Sequence, residues 1–453
     1  MLVLVPGILG SVLVKDGREL WGASGCSIAH CLLTFGHALK DLRLPMRTGS
    51  GDPRDGVSTP RLLPSLFMVP NFWKADGYGK LREQLLFRFN LTPASKEQPG
   101  NLIEFPYDWR LSNRLNGERL AARVIPNLER WQRHTNNRDA KLIFICHSMG
   151  GLVARWFLEV LGGRDVTRTL ITIGTPYRGS VNALSGLVNG ISRELGPIAV
   201  SVDELVRSFP SVYELLPTYA CLNIGDGELR SLSGVDLPNV RDVDVQEGLE
   251  FHARISNAVE NEPRYQTIAI KGVDQPTVQS ALLSGMQVKA LRAYRGTDLS
   301  GDGTVPRPSS HPPEWEHERS SIFVPQTHAM LQSTASILTQ IFGALTGQLG
   351  RFMGGAAISI AIPDLVEIGD SVHVEAVSKD GDSTLPLHVV CQGEDGQHYG
   401  VPILMRATGD GIYRAKIDGL PTGAWRVTVQ SATPTRSVEP VSDWLLVWNT
   451  DTN

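Results

Sequence analysis

A serine, an acid and a histidine stand in chain order where they could carry acyl transfer. Ser148 lies in KLIFICHSMGGLVARW, residues 141–156, which reads as a strand, a sharp turn and a helix. A serine hydroxyl is a poor nucleophile until a base takes its proton, and a strained strand-to-helix turn is one way to present it. Of the hydrolase signature G-x-S-x-G this chain keeps the second glycine as Gly150, followed by Gly151, but has Cys146 in place of the first. Cysteine is among the smaller side chains and is commonly buried, so the departure weakens the match without breaking it. An ordinary turn that happens to carry a serine is the plainer alternative.

The order Ser, Asp/Glu, His is completed by Asp302 in SGDGTVP and His328 in VPQTHAMLQ. Asp298 is a rival acid nearby. Each of these segments also has a bland reading, since Gly and Asp favour turns by themselves and a histidine often begins a helix on a surface loop. The oxyanion formed on an attacked carbonyl needs donors aimed at it in advance. The backbone N–H of Met149, just after the serine, is one candidate; that of Ile8 in the loop VPGILGS is the other, with Gly7 allowing the backbone to turn. Asp108 in FPYDWR is expected to brace the sheet end, and His147 to be structural and to point away from the site. HPPEWEHE, residues 311–318, matches no zinc-ligand spacing and is read as a solvated loop. The chain calls for no metal or cofactor.

The elements that must position these residues follow from the hydrophobic pattern. LVLVP, NLIEFP, KLIFIC, TLITIG, YQTIAIKG and SIFVP are short Val- and Ile-rich runs, as buried parallel strands are. Between two of them Leu120, Val124, Leu128 and Trp131 mark the apolar face of a helix, which Pro126 is expected to bend. Strands alternating with helices over residues 1–350 predict an α/β domain, a doubly wound and mostly parallel sheet. Two insertions interrupt it. Residues 20–75 include the apolar stretch LLPSLFMVPNFW, read either as a packed lid or as a segment that touches a lipid surface. Residues 180–262 are expected to be mostly helical. Beyond a boundary near residue 353, residues 354–453 show short alternating segments between turn signals, predicting an all-β, immunoglobulin-like sandwich.

The bulk properties agree. A length of 453 residues favours two domains, and 42% hydrophobic with 20% charged residues is ordinary for a globular protein. A net charge of -4 and the lack of a Lys/Arg run argue against a nucleic-acid partner. Five scattered cysteines fit a reducing compartment; Cys26 and Cys31 are spaced closely enough for a small loop disulfide, but free thiols are the expectation. Pro6-Gly7 interrupts the apolar start, so MLVLVPGILG reads as a first strand and not as a signal peptide. No run approaches the ~20 apolar residues of a membrane span, and a cytoplasmic protein, peripheral at a membrane surface, is expected.

Taken together, VPGILGS, FPYDWR, HSMGG, GTPYRGS, GDGTVP and QTHAML, in this order, resemble the lecithin:cholesterol acyltransferase family, which includes lysosomal phospholipase A and the phospholipid:diacylglycerol acyltransferases. The resemblance covers residues 1–345 and not the sandwich. It implies an α/β-hydrolase fold with a cap, acyl-lipid substrates, Ser148 as nucleophile, His328 as general base and acid, Asp302 as its orienting acid, and Ile8 and Met149 as oxyanion donors. It leaves water or an alcohol as acyl acceptor. Two other readings stay open: an esterase for small soluble esters, and a binding scaffold whose sandwich recognises a protein partner or regulator.

Overall fold

Period-two alternation explains how the central sheet buries both of its faces. In the computed structural model the six apolar runs form six strands: β1 (Leu2–Val5), β2 (Leu102–Glu104), β3 (Leu142–His147), β4 (Thr167–Ile173), β5 (Gln266–Gly272) and β6 (Ser321–Val324). The structure describes residues 1–22, 41–45, 51–64, 67–69, 73–75, 77–190, 192–195, 198–201, 203–260, 264–315, 321–348, 355–434 and 436–449. The strand order is β2-β1-β3-β4-β5-β6, and every neighbouring pair is parallel. Successive side chains point to opposite faces of a sheet. Leu2, Leu4, Ile145, Ile171 and Ile173 accordingly share one core with Leu81 and Leu85 of helix α1 (Gly79–Arg88). Val3, Val5, Phe144, Cys146 and Leu170 share the other, with Leu120, Val124 and Leu128 of α2 (Asn113–Thr135) and Leu152 of α3 (Gly150–Arg155). This is the α/β-hydrolase arrangement.

Helix α2 begins where Ser112 accepts the N–H of Arg114 at 3.1 Å and ends at Asn136 in the left-handed region. It runs through Pro126, which lies on its exposed side, where the missing N–H leaves no buried orphan. The insertion after β4 is less helical than expected. It holds α4 (Val181–Asn189) and α5 (Asp242–Ala258) with the short helices Asp203–Arg207 and Pro210–Tyr213 between them, but also an antiparallel pair, Ser192–Leu195 with Ile198–Ser201, and irregular chain before α5. Leading into the first insertion, Leu13–Lys15 and Arg18–Trp21 form a small sheet with Val57–Ser58 of that insertion. Leu62 and Leu63 of the lid candidate are buried. Much of the rest of that stretch, and Cys26 with Cys31, lie outside the described residues.

The C-terminal region builds two sheets, ordered β7-β9-β13-β12 and β8-β15-β14-β10-β11. Their strands are β7 (Ile358–Ala361), β8 (Leu365–Glu367), β9 (Val372–Ser378), β10 (Leu387–Gly393), β11 (His398–Leu404), β12 (Arg406–Gly409), β13 (Ile412–Ile417), β14 (Gly423–Ser431) and β15 (Val441–Trp448). All pairings are antiparallel except β8 with β15. Val372, Val374 and Ala376 alternate inward against Tyr413, Val427 and Leu445 in a core of their own, as an immunoglobulin-like sandwich requires. A separate cluster of Met330, Ala424, Trp444 and Leu446 joins this region to the first. The boundary expected near residue 353 falls outside the described residues. Among the described residues no helix is long and apolar enough to cross a membrane.

Candidate active site

Where β3 ends and α3 begins, Ser148 adopts φ +52°, a conformation rare for a residue with a side chain. Its surroundings hold it there. The Ser148 N–H donates to the Ile173 carbonyl at 2.8 Å, and its own carbonyl accepts from Thr175 Oγ1 at 2.9 Å. A Cβ on Gly150 would lie 2.3 Å from the Pro6 carbonyl oxygen, and one on Gly151 2.2 Å from Thr175 Oγ1. The crowding is therefore on the outgoing side of the turn. Cys146, still on the strand, is fully buried in the core and meets no such limit. Burial pushes its thiol well above the ordinary range, so it stays protonated.

β1 and β3 are neighbours whose connections leave in opposite directions along the sheet, the point where a crevice opens at the carboxyl ends of strands. Ser148 sits there, and the other two predicted residues reach it. His328 Nε2 is 3.0 Å from Ser148 Oγ, and His328 Nδ1 is 2.7 Å from Asp302 Oδ2. The other carboxylate oxygen, Oδ1, accepts the N–H groups of Thr304 at 2.9 Å and Val305 at 2.7 Å. The His328 N–H donates to the Asp302 carbonyl at 2.7 Å, tying the two loops together. With Nδ1–H directed at the carboxylate, the Nε2 lone pair faces the serine hydroxyl. Ser148 is 7%, His328 9% and Asp302 2% exposed, so the set is nearly shielded from water.

Asp298 is not part of this set. Its carboxylate accepts from Gln279 Nε2 at 2.5 Å and from the Ser300 N–H at 2.8 Å. Asp302 itself arrives by a less direct route than its turn implies. The strands just before it, Ser280–Ser284 and Gln287–Leu291, belong to a separate small sheet, and the chain returns from this detour to pack Asp302 against Gly272 at the end of β5. Asp108 is a brace as expected, held by Arg110 Nε at 2.9 Å and Nη2 at 2.7 Å. Its neighbour Tyr107 donates its hydroxyl to the Pro6 carbonyl at 2.9 Å, steadying the VPGILGS loop.

In that loop Leu9 takes φ +64° and the Gly10 N–H returns to the Gly7 carbonyl at 3.1 Å. Among the described residues no partner takes up the N–H of Ile8 or of Met149. The Gly7 N–H is occupied, donating to the Tyr78 hydroxyl at 2.8 Å. That hydroxyl spends its proton on His147 Nδ1 at 2.8 Å, which leaves Nε2–H of His147 facing the His328 carbonyl at 3.4 Å. Burial, and next the nearby His328, push His147 well below its ordinary pKa, so the ring is neutral. As expected, His147 does not face the serine; what the sequence did not indicate is its contact with the backbone of the His328 loop. Tyr78 and Thr175 were not singled out in the sequence, although Thr175 lies in the motif GTPYRGS; no local pattern marks Tyr78.

A cavity of about 350 Å³ lies beside the acid and histidine, lined among others by Thr304, His328, Ile360, Ile362 and Asp364. Among the described residues no group of three or more His, Cys, Asp or Glu could hold a metal ion. Part of HPPEWEHE, residues 316–318, is outside them.

Sheet, elbow and hydrogen-bonded Ser-His-Asp geometry define an α/β-hydrolase. Within that class, residues 90–231 match the family model described as lecithin:cholesterol acyltransferase. The matched span contains Ser148 and ends before Asp302 and His328. It supports a hydrolase or acyltransferase of lipid esters in the broad sense. No curated protein matches the chain in sequence. Among solved structures, the Bacillus licheniformis lipase BlEst2 in its propeptide form is 12% identical, covering 98% of this chain and 92% of that one, with a TM-score of 0.36. A glycoside hydrolase of Bacteroides vulgatus, described as putative in its own name, is 16% identical with a TM-score of 0.16. The aligned part is 20% of this chain and 17% of that one. At such TM-scores these likenesses fix neither fold nor activity.

Proposed function

We propose that the protein is a serine acyl hydrolase or acyltransferase acting on lipid esters, with Ser148 as nucleophile. The observation that carries this reading is the unbroken hydrogen-bonded chain from Ser148 Oγ through His328 to Asp302, set on a strained turn. The Ser148 proton passes to His328 Nε2 as Oγ bonds to the ester carbonyl carbon. Ile8 and Met149 N–H groups receive the oxyanion. The tetrahedral intermediate then expels the alkoxy oxygen, which takes the proton from Nε2, and leaves an acyl-Ser148 ester. Water or an acceptor alcohol, deprotonated by the same nitrogen, releases the acyl group and restores the hydroxyl. Asp302 keeps the imidazole in the required tautomer and stabilises its transient charge.

The choice of lipid substrates over small soluble esters rests on the family match over residues 90–231. The test compares phospholipid vesicles with short-chain nitrophenyl esters, with wild type and Ser148→Ala side by side. Wild type is expected to release fatty acid or transfer it to an added alcohol, and Ser148→Ala to lose several orders of magnitude on every substrate. Near-normal turnover by Ser148→Ala would remove the serine mechanism; turnover of nitrophenyl esters alone would move the substrate class to small esters. A wild type with no turnover on either substrate would favour a scaffold.

A further inference from the structure

The loop that carries His328 is fastened on its far side by the sandwich. Thr327, the residue just before the histidine, donates its Oγ1 proton to the Ser442 carbonyl at 2.7 Å. The neighbouring Gln326 side chain accepts the Ser442 N–H at 3.1 Å, accepts the Thr327 N–H at 2.9 Å, and donates to the Pro440 carbonyl at 3.2 Å. Two residues after the histidine, Met330 is 1% exposed and packs with Ala424, Trp444 and Leu446 of the sandwich. The segment on both sides of His328 is therefore tied to β15 and its approach.

A second glutamine does the same for the acid. The backbone of Gln275 pairs with Gly301, and its side chain donates to the Ile358 carbonyl at 3.1 Å while accepting the Ile360 N–H at 3.2 Å. Ile358 and Ile360 belong to β7, so one glutamine completes the hydrogen bonding of a sandwich strand and, one residue pair away, the turn that presents Asp302. Gln275, Gln326 and Thr327 are all buried. Buried polar groups that lose their partners are costly, so these contacts hold the two loops in one arrangement. A contact made only for packing has no need to meet the residue adjoining the general base and the turn of its acid.

We propose that the sandwich is a positioning element of the active site, and that Thr327 and Gln326 are positioning residues that fix His328 through the main chain of residues 440–442. This rests on the Ser-His-Asp reading above. Displacement of a base by about 1 Å can cost on the order of a hundredfold in rate while leaving substrate binding alone. A mutation at Thr327 should therefore move kcat and not KM.

The experiment uses the full chain and two near-isosteric variants. Thr327→Val removes the hydroxyl that reaches Ser442; Thr327→Ser keeps it. A fluorophosphonate probe measures the rate at which Ser148 is labelled, nitrophenyl ester hydrolysis gives kcat and KM, and proton NMR follows the far-downfield Nδ1–H signal of His328. Thr327→Val is expected to lower kcat and the labelling rate about tenfold or more with KM within twofold, and to broaden or shift that signal. Thr327→Ser is expected to recover to within about threefold of wild type. Trp444→Phe, which trims the packing on Met330 from the sandwich side, is expected to lower the labelling rate severalfold and serves if Thr327→Val does not fold. A folded Thr327→Val that labels at the wild-type rate with an unchanged signal overturns the inference alone. A wild type that takes no label at Ser148 overturns the serine reading and this inference with it.

Discussion

Replacing Asp302 by asparagine separates the role of its charge from that of its shape, because the surroundings decide which way the amide must face. One carboxylate oxygen accepts two backbone N–H groups, from Thr304 and Val305, and the other accepts Nδ1–H of His328. An amide nitrogen cannot face the two N–H groups without orphaning buried donors, at about 1–3 kcal/mol each. The asparagine oxygen therefore stays on Thr304 and Val305, and its NH2 turns to His328. Nδ1 must then accept, the ring proton moves to Nε2, and the serine hydroxyl meets an N–H in place of a lone pair. A tautomer error of this kind costs about 10³–10⁴ in kcat, equivalent to about 4–5 kcal/mol of transition-state stabilisation. The assay is nitrophenyl ester hydrolysis with a thermal midpoint to show that the variant is folded; KM should change little. Asp298→Asn is the companion measurement and should stay within about threefold, since its carboxylate serves Gln279 and Ser300. A folded Asp302→Asn within tenfold of wild type, or loss confined to Asp298→Asn, would refute the assignment of the acid.

Two further expectations concern stability. Glu214 is buried, with Oε2 accepting the Asn113 N–H at 2.5 Å; burial pushes its carboxyl up to about 7, against the pull of that N–H. Its neutral form is the one the fold favours, so the contribution is full below the unfolded value of ~4.3 and is lost as pH rises through about 7, on the order of 3 kcal/mol in all. Buried neutral His147 and His252 add stability as pH rises over part of the same range, so the measure is the difference between the two proteins. The thermal midpoint of Glu214→Gln relative to wild type should rise between pH 5 and pH 8, and a difference that does not change with pH would remove Glu214 as its source. Cys146→Gly removes a buried strand side chain and adds chain entropy, costing about 1–3 kcal/mol, while hydrolysis by the folded variant stays near wild type. Abolished hydrolysis in a folded Cys146→Gly would give the thiol a role that its buried, protonated state does not suggest.

The sheet was legible because parallel strands covered on both faces must be apolar throughout, and each of the six runs that satisfy this became a strand. Ser148, Asp302 and His328 were legible for a different reason: their order and turn chemistry are local, and the structure brings them within hydrogen-bonding distance. What failed to show were choices of partner across long separations. Gln326 reaches Pro440, Gln275 reaches Ile358 and Tyr78 reaches His147. Such pairs have no period and no motif, since any buried polar group may be satisfied by whichever backbone the fold delivers. His147 illustrates the difference. Its direction relative to the serine could be argued from the turn, but its bond to the His328 loop could not. The insertion at 180–262 was read as mostly helical, but between its helices the chain runs through the short strands Ser192–Leu195 and Ile198–Ser201 and through long irregular stretches whose buried apolar residues carry no period of their own.

Three glycines at strand ends show how the sheet itself admits the site. A Cβ on Gly7, after β1, would lie 2.9 Å from Ser148 Cβ. One on Gly174, after β4, would lie 3.1 Å from His328 Nδ1 and 3.2 Å from Asp302 Oδ2, and one on Gly272, closing β5, 2.4 Å from Asp302 Cβ. Any side chain at these ends would occupy the volume of Ser148, His328 and Asp302 or push them away from the strands. Their absence lets serine, histidine and acid rest directly against the carboxyl ends of the strands. Gly150 and Gly151 perform the same service beneath the elbow, so the glycine lost at Cys146 is the one whose side chain had room in the core.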